Sequence, residues 1–166
     1  MKDVTGQLES AREELIAAVS GLTDEQARTR PAPDRWSVLE CLEHVSFVER
    51  RFLGMVKGSE AGTPAERDAA KEATLKERMQ DRVNRRTAPD AVRPSGKYGS
   101  VSEALQDFNA ARDETLRFAA AEGPNLLTRS ANHAVLGPLN GVEALLLIAG
   151  HGRRHTVQMR EAAEGR

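Results

Sequence analysis

The sequence predicts an all-α protein: a four-helix bundle with one or two additional short helices. Three observations carry this. Apolar residues recur at steps of three and four along nearly the whole chain, no stretch alternates with period two for long, and helix-start signatures punctuate it. The 166 residues suit one domain over 1–166, with no repeat and no shift of composition to mark a boundary.

Val4, Leu8, Ala11, Leu15, Ala18, Val19 and Leu22 share one face, which predicts a first helix of about five turns. In "LTDEQA", Thr23 caps a short further turn and Gln26 reaches back to it. The two prolines of "RPAPDRW" break the pattern. In "SVLE", Ser37 is the N-cap and Glu40 closes a capping box from the third helical position, with Trp36 and Cys41 placed as a hydrophobic staple. Leu42, Val45, Val48 and Phe52 then carry the second long helix to Gly54 or Gly58.

"TPAE" predicts another start, with Pro64 at the first helical position. The stretch that follows, to about Arg85, offers only Ala69, Ala73, Leu75, Met79 and Val83 to bury, so it reads as a largely exposed helix. "TAPDAVRPSGKYGS" is a loop. "SVSE" caps the next helix, whose stripe is Val101, Ala104, Leu105, Phe108, Thr115, Leu116 and Ala119, and "EGPN" ends it. "LLTRSANHAVLGPLNG" reads as a connection, and the last helix runs from about Gly141 to Ala163.

A formal net charge of −1 gives no electrostatic footprint for nucleic acid. Arg82, Arg85 and Arg86, like Arg153 and Arg154, read as solvated helix faces. Cys41 is the single cysteine, so no intrachain disulfide forms. The N-terminal stretch lacks the apolar core of a signal peptide, and "ALLLIAG" is too short to span a bilayer. The expectation is a cytoplasmic chain with neither nucleic acid nor membrane as partner.

"HGRRHTVQM" holds two of the four histidines, four residues apart. On a helix that spacing puts both imidazoles on one face, about 6 Å apart along the axis. Ala144, Ile148, His151, His155, Gln158 and Ala162 follow one line, so His151 and His155 point inward, where desolvation demands hydrogen-bond partners or a metal. His44, on the inner face of the second long helix, approaches them if the two helices are neighbours. Three imidazoles would leave a fourth coordination position open, as in a catalytic site. An H-x-x-x-H pair without the glutamate of H-E-x-x-H is by itself a weak motif.

"RPAPDRWSVLECLEHV" resembles the entrance to the second helix of the DinB/YfiT family of four-helix bundles, where a Trp-Ser pair precedes a metal-binding histidine eight residues after the Trp. "HGRRHTVQM" resembles that family's last-helix motif, and "HAVLGPLNGVEALLLIAGH" the segment before it in one branch. The order and spacing of these blocks extend the likeness over the whole chain. The resemblance implies that His44, His151 and His155 hold one divalent ion per chain, zinc or nickel, ions that imidazole ligands suit. It also implies a metal-dependent enzyme, a hydrolase or a transferase of low-molecular-weight thiols, with a small-molecule thiol or electrophile as partner and a homodimer as the assembly. The alternative is a metal-binding, stress-related bundle without catalysis, and a third option packs the histidines without metal.

Each neighbour has a sharper and a plainer role. Gln158 could hydrogen-bond a ligand imidazole, or be an ordinary rim residue. Glu40 could accept a proton at the site, though the capping box already explains it. Cys41 could approach the metal, or be a small core residue. His133 could line the site mouth, or order its own loop. Trp36 could be a substrate platform, or a packing anchor. Arg153 and Arg154 turn away from the ligand line, Arg154 toward an acidic residue of a neighbouring helix or a substrate carboxylate.

Overall fold

The computed structural model describes residues 2–81 and 88–166. Four long helices form the bundle: α1 (Lys2–Val19), α3 (Val38–Gly58), α5 (Val101–Glu122) and α6 (Gly141–Ala163). The short α2 (Asp24–Arg28) follows α1, and α4 (Ala69–Gln80) lies outside the bundle against α6. Around the bundle, α1 packs on α5 and α6, and α3 packs on the same two. The first and last helices are therefore neighbours, and so are α3 and α6, the pair on which the histidine argument depends. No helix of the described residues is long and apolar enough to cross a membrane.

Local chemistry starts these helices where the sequence placed the starts. Thr23, Ser37 and Asn140 each cap a helix whose third residue, Gln26, Glu40 or Glu143, returns a bond to the cap's backbone. Ser100 accepts from the Glu103 N–H at the head of α5. At the first residue of α6 the close approach is a glycine's: a Cβ at Gly141 would collide with the Leu126 carbonyl. The apolar faces then close. One cluster joins Leu15, Val38, Leu42, Phe108 and Met159, and a second joins Leu8, Ala119, Leu126, Val142 and Leu145.

Three expectations are corrected. The "TPAE" start does not nucleate a helix: α4 begins at Ala69 with Asp68 as its cap, while Ala65 donates to the Leu127 carbonyl and Gly62 to the Thr128 carbonyl. Those long-range bonds tie the stretch to residues 127–128 instead. The connection before α6 contains a 3₁₀ turn (Gly123–Thr128) and an antiparallel hairpin, β1 (Ser130–His133) with β2 (Gly137–Asn140). Ala131 faces Leu139 across it, and both are buried with Val56, Leu75, Ala144 and Leu147. In α5 the expected stripe packs on the core, with Val101, Leu105 and Leu116 partly buried against it, and the buried face extends to Ala111 and Arg112, which the stripe left out. The helix α4 ends at Gln80 with Asp81 as its extended C-cap, and the rest of that expectation, including Arg82, Val83 and Arg85, with Arg86 beside it, lies outside the described residues.

Candidate metal centre

His44, His151 and His155 come together at the α3–α6 contact, their ligand atoms all within 4.8 Å of one another. The ring centroids lie 5.0 Å (His44–His151), 4.7 Å (His44–His155) and 4.5 Å (His151–His155) apart. His44 and His155 are buried and His151 is partly so. Among the described residues no other cysteine, aspartate, glutamate or histidine belongs to such a group.

One ring proton can be placed. Nδ1 of His44 lies 2.7 Å from the Val92 carbonyl, which only accepts, so Nδ1 carries the hydrogen and Nε2 keeps its lone pair. Nε2 of His44 in turn lies 3.2 Å from Nε2 of His151. Burial dominates the electrostatics. It holds His44 below its ordinary value against the opposing Val92 bond, pushes His151 down to about 3, and drives His155 well down. Neighbouring imidazoles and Arg154 push His151 and His155 the same way, and Gln158 makes the smallest and opposing contribution at His155. All three rings are neutral near pH 7, the state in which imidazole ligates a metal.

The donor set fits a divalent ion. Nδ1 of His155 is buried without a hydrogen-bond partner, which would cost free energy if nothing met it. His44 shows the arrangement common to metal-bound histidines, with the far ring nitrogen donating to a carbonyl.

Around the rings, Trp36 is half-buried against the first core cluster, its ring 4.8 Å from that of His44 and 6.0 Å from that of His155. It walls the site on that side. Both Glu40 oxygens are engaged: Oε2 accepts from the Ser37 N–H (2.9 Å) and from Arg30 Nε (2.9 Å), and Oε1 pairs with Arg30 Nη2. The carboxylate closes the cap rather than facing the imidazoles. Cys41 is buried in the first core cluster and stands outside the histidine group. Nδ1 of His133 accepts from the N–H groups of Val135 (3.0 Å) and Leu136 (3.1 Å), so it orders the hairpin turn, and its ring stacks on Phe52. Gln158 sits partly exposed one turn beyond His155.

The two arginines reach different partners. Arg153 bonds the Glu14 carboxylate (2.9 Å) and the Gln7 side chain (2.8 Å) on α1, whereas Arg154 reaches the Asp81 main-chain carbonyl. Sequence reasoning missed Val92 and Glu43. Val92 lies in a loop 48 residues from His44, and a carbonyl leaves no side-chain signature. Glu43 reads as one more polar residue on an amphipathic helix.

The comparisons with known proteins cover nearly the same span. The DinB superfamily pattern matches residues 7–159. An uncharacterized Bacillus subtilis protein, YuaE, is 27% identical over 154 residues, 93% of either chain. The solved structure of YfiT from Bacillus subtilis, described as a probable metal-dependent hydrolase with an unusual four-helix bundle topology, superposes with a TM-score of 0.65. It covers 98% of this chain and 85% of its own at 17% identity, which establishes the shared fold.

Proposed function

The chain belongs to the DinB superfamily, and from that premise we propose that it is a divalent-metal-dependent enzyme whose metal ligands are His44, His151 and His155. The observation that carries this is the convergence of three largely buried imidazoles at the α3–α6 contact, with ligand atoms inside 4.8 Å. The metal is zinc or nickel, and the reaction is hydrolysis or transfer of a low-molecular-weight thiol to an electrophile. YfiT, a relative in fold described as a probable metal-dependent hydrolase, supports the hydrolytic form.

A divalent ion bound there supplies Lewis acidity that makes water or a thiol nucleophilic near neutral pH. The chain's own residues supply the rest. His44 is held in one tautomer by Val92, and burial keeps His151 and His155 unprotonated. Trp36 excludes water from one side. Three protein ligands leave room for a reactant, as catalytic sites do. Glu40 is committed to its cap, so Gln158 is the polar side chain left beside the His155 ring to orient a reactant.

The test is elemental mass spectrometry on untagged protein, as wild type and as His44→Ala and His151→Ala. About one zinc or nickel per chain, lost in both variants, is the expected result. Wild type that takes up neither ion on reconstitution refutes the proposal. The loaded protein is then assayed with activated esters and amides, and with thiol plus electrophile. Retained metal with no turnover of either class would reduce the protein to a metal-binding bundle.

A further inference from the structure

A set of hydrogen bonds ties α3 to the loop that precedes α5. Glu43 is buried, and its carboxylate accepts four hydrogen bonds from the Ser95–Lys97 turn. Oε1 takes the Ser95 N–H (2.8 Å) and hydroxyl (2.7 Å), and Oε2 takes the N–H groups of Gly96 (2.9 Å) and Lys97 (3.1 Å). Three successive main-chain N–H groups converge on one anion because Gly96 adopts φ +78°, a left-handed conformation natural to glycine. The next residue of α3 is His44, whose Nδ1–H donates to Val92, three positions upstream of the turn. Pro94 stiffens the backbone between these anchor points.

We propose that Glu43 and the Ser95–Gly96–Lys97 turn act as a positioning clamp. It holds the Val92 carbonyl against His44 and so presents the His44 Nε2 lone pair to the metal site. Val92 ends a short 3₁₀ turn, Asp90–Val92, and anchoring the chain on its far side limits how far its carbonyl can move. Glu43 supplies that anchor from the same helix turn as the ligand. The same loop walls a cavity of about 290 Å³ beside His44, between Phe47 on α3 and Val92 and Pro94 on the loop. Releasing the clamp frees the carbonyl, and the His44 proton then divides between its two ring nitrogens. The imidazole offers its lone pair to the site only part of the time.

The part of the inference that concerns metal rests on the function proposed above; the part that concerns the tautomer does not. Two readouts on the full chain separate them. In the first, ¹⁵N-labelled, metal-free protein at neutral pH gives long-range ¹H–¹⁵N correlations, with His44 assigned by its loss in His44→Gln. Wild type shows the proton on Nδ1, and Glu43→Gln shows a mixture of tautomers. In the second, zinc competition with a chelating dye shows affinity about ten- to a hundredfold weaker in Glu43→Gln. Gly96→Ala strains the left-handed turn without touching Glu43, and a Cβ there meets nothing within 4 Å. It shifts both readouts in the same direction and decides the matter if Glu43→Gln does not fold. A folded variant with the wild-type tautomer and wild-type zinc affinity overturns the clamp, even if its urea midpoint drops, because anchoring alone would do that. A shifted tautomer in the variant, together with a wild-type protein that never binds zinc, upholds the clamp and sinks the metal reading.

Discussion

Two buried polar clusters in this bundle are built in opposite ways. In the first, Arg112 on α5 meets Glu49 on α3 through two bonds, Nε–Oε1 at 2.8 Å and Nη2–Oε2 at 2.9 Å. Nη1 of Arg112 donates to the Leu8 carbonyl on α1, and the Thr115 hydroxyl donates to Glu49 (2.8 Å). The charges cancel and three helices are bridged. In the second, His44, His151 and His155 gather three rings that burial keeps uncharged near neutral pH, and Nδ1 of His155 has no hydrogen-bond partner. A satisfied cluster specifies how helices pack. One that leaves a buried ring nitrogen unsatisfied has room for a partner the chain does not itself provide.

That contrast is broken most sharply by removing one charge. Arg112→Met leaves Glu49 buried and uncompensated, and should cost about 3–5 kcal/mol in urea unfolding. The double variant Glu49→Leu/Arg112→Met recovers most of the loss, because the apolar pair carries no desolvation cost. Wild-type stability in the single variant Arg112→Met would show that the pair is not the buried, fully bonded unit described here.

The histidine cluster should respond the other way. His155→Leu removes a desolvated ring, so the metal-free protein loses little stability or gains some. What disappears is stabilisation by zinc: about 4 kcal/mol is expected in wild type at a thousandfold excess over Kd, and none in the variant. Thermal shifts with and without zinc read both. A loss of several kcal/mol in the metal-free variant would instead make the cluster a packing element.

Smaller effects sharpen the comparison from outside the two clusters. Asn140→Ala removes the cap of the helix that bears His151 and His155, and should cost about 1 kcal/mol without changing zinc stoichiometry. Asp107 is a half-exposed case between the extremes. Arg50 holds it down to about 2 from an ordinary 3.8, with the Tyr98 hydroxyl also donating to it. A depressed carboxylate stabilises the fold above its unfolded value and stops doing so as pH falls through its folded one. The stability difference between wild type and Asp107→Asn should therefore be constant above about pH 5 and vanish between about pH 4 and about pH 2. A difference that persists at about pH 2 would assign the effect to shape rather than charge.

Much of the site was legible in the chain because it is local. His151 and His155 share a helical face by spacing alone, and Ser37–Glu40 and Asn140–Glu143 mark the helix heads by their own chemistry. His44 was reached less directly, since nothing local ties it to α6. The family resemblance placed it, and the α3–α6 contact then supplied the proximity. The hairpin escaped notice because four-residue strands are too short to display a period, and a proline stands in β2. Arg112 escaped because a charged residue in an amphipathic stripe reads as solvated until a partner on another helix is seen.

The sequence by itself determined the elements: periodicity and capping act within a few residues, so the helix type, most helix starts and the paired imidazoles of α6 are written along the chain. Only the tertiary structure decided which helices touch, that Glu40 serves Arg30 and its cap while Glu43 binds the 95–97 turn, and which carbonyl sets the His44 proton. Hydrogen bonds between residues about 50 positions apart depend on distances that no local pattern encodes.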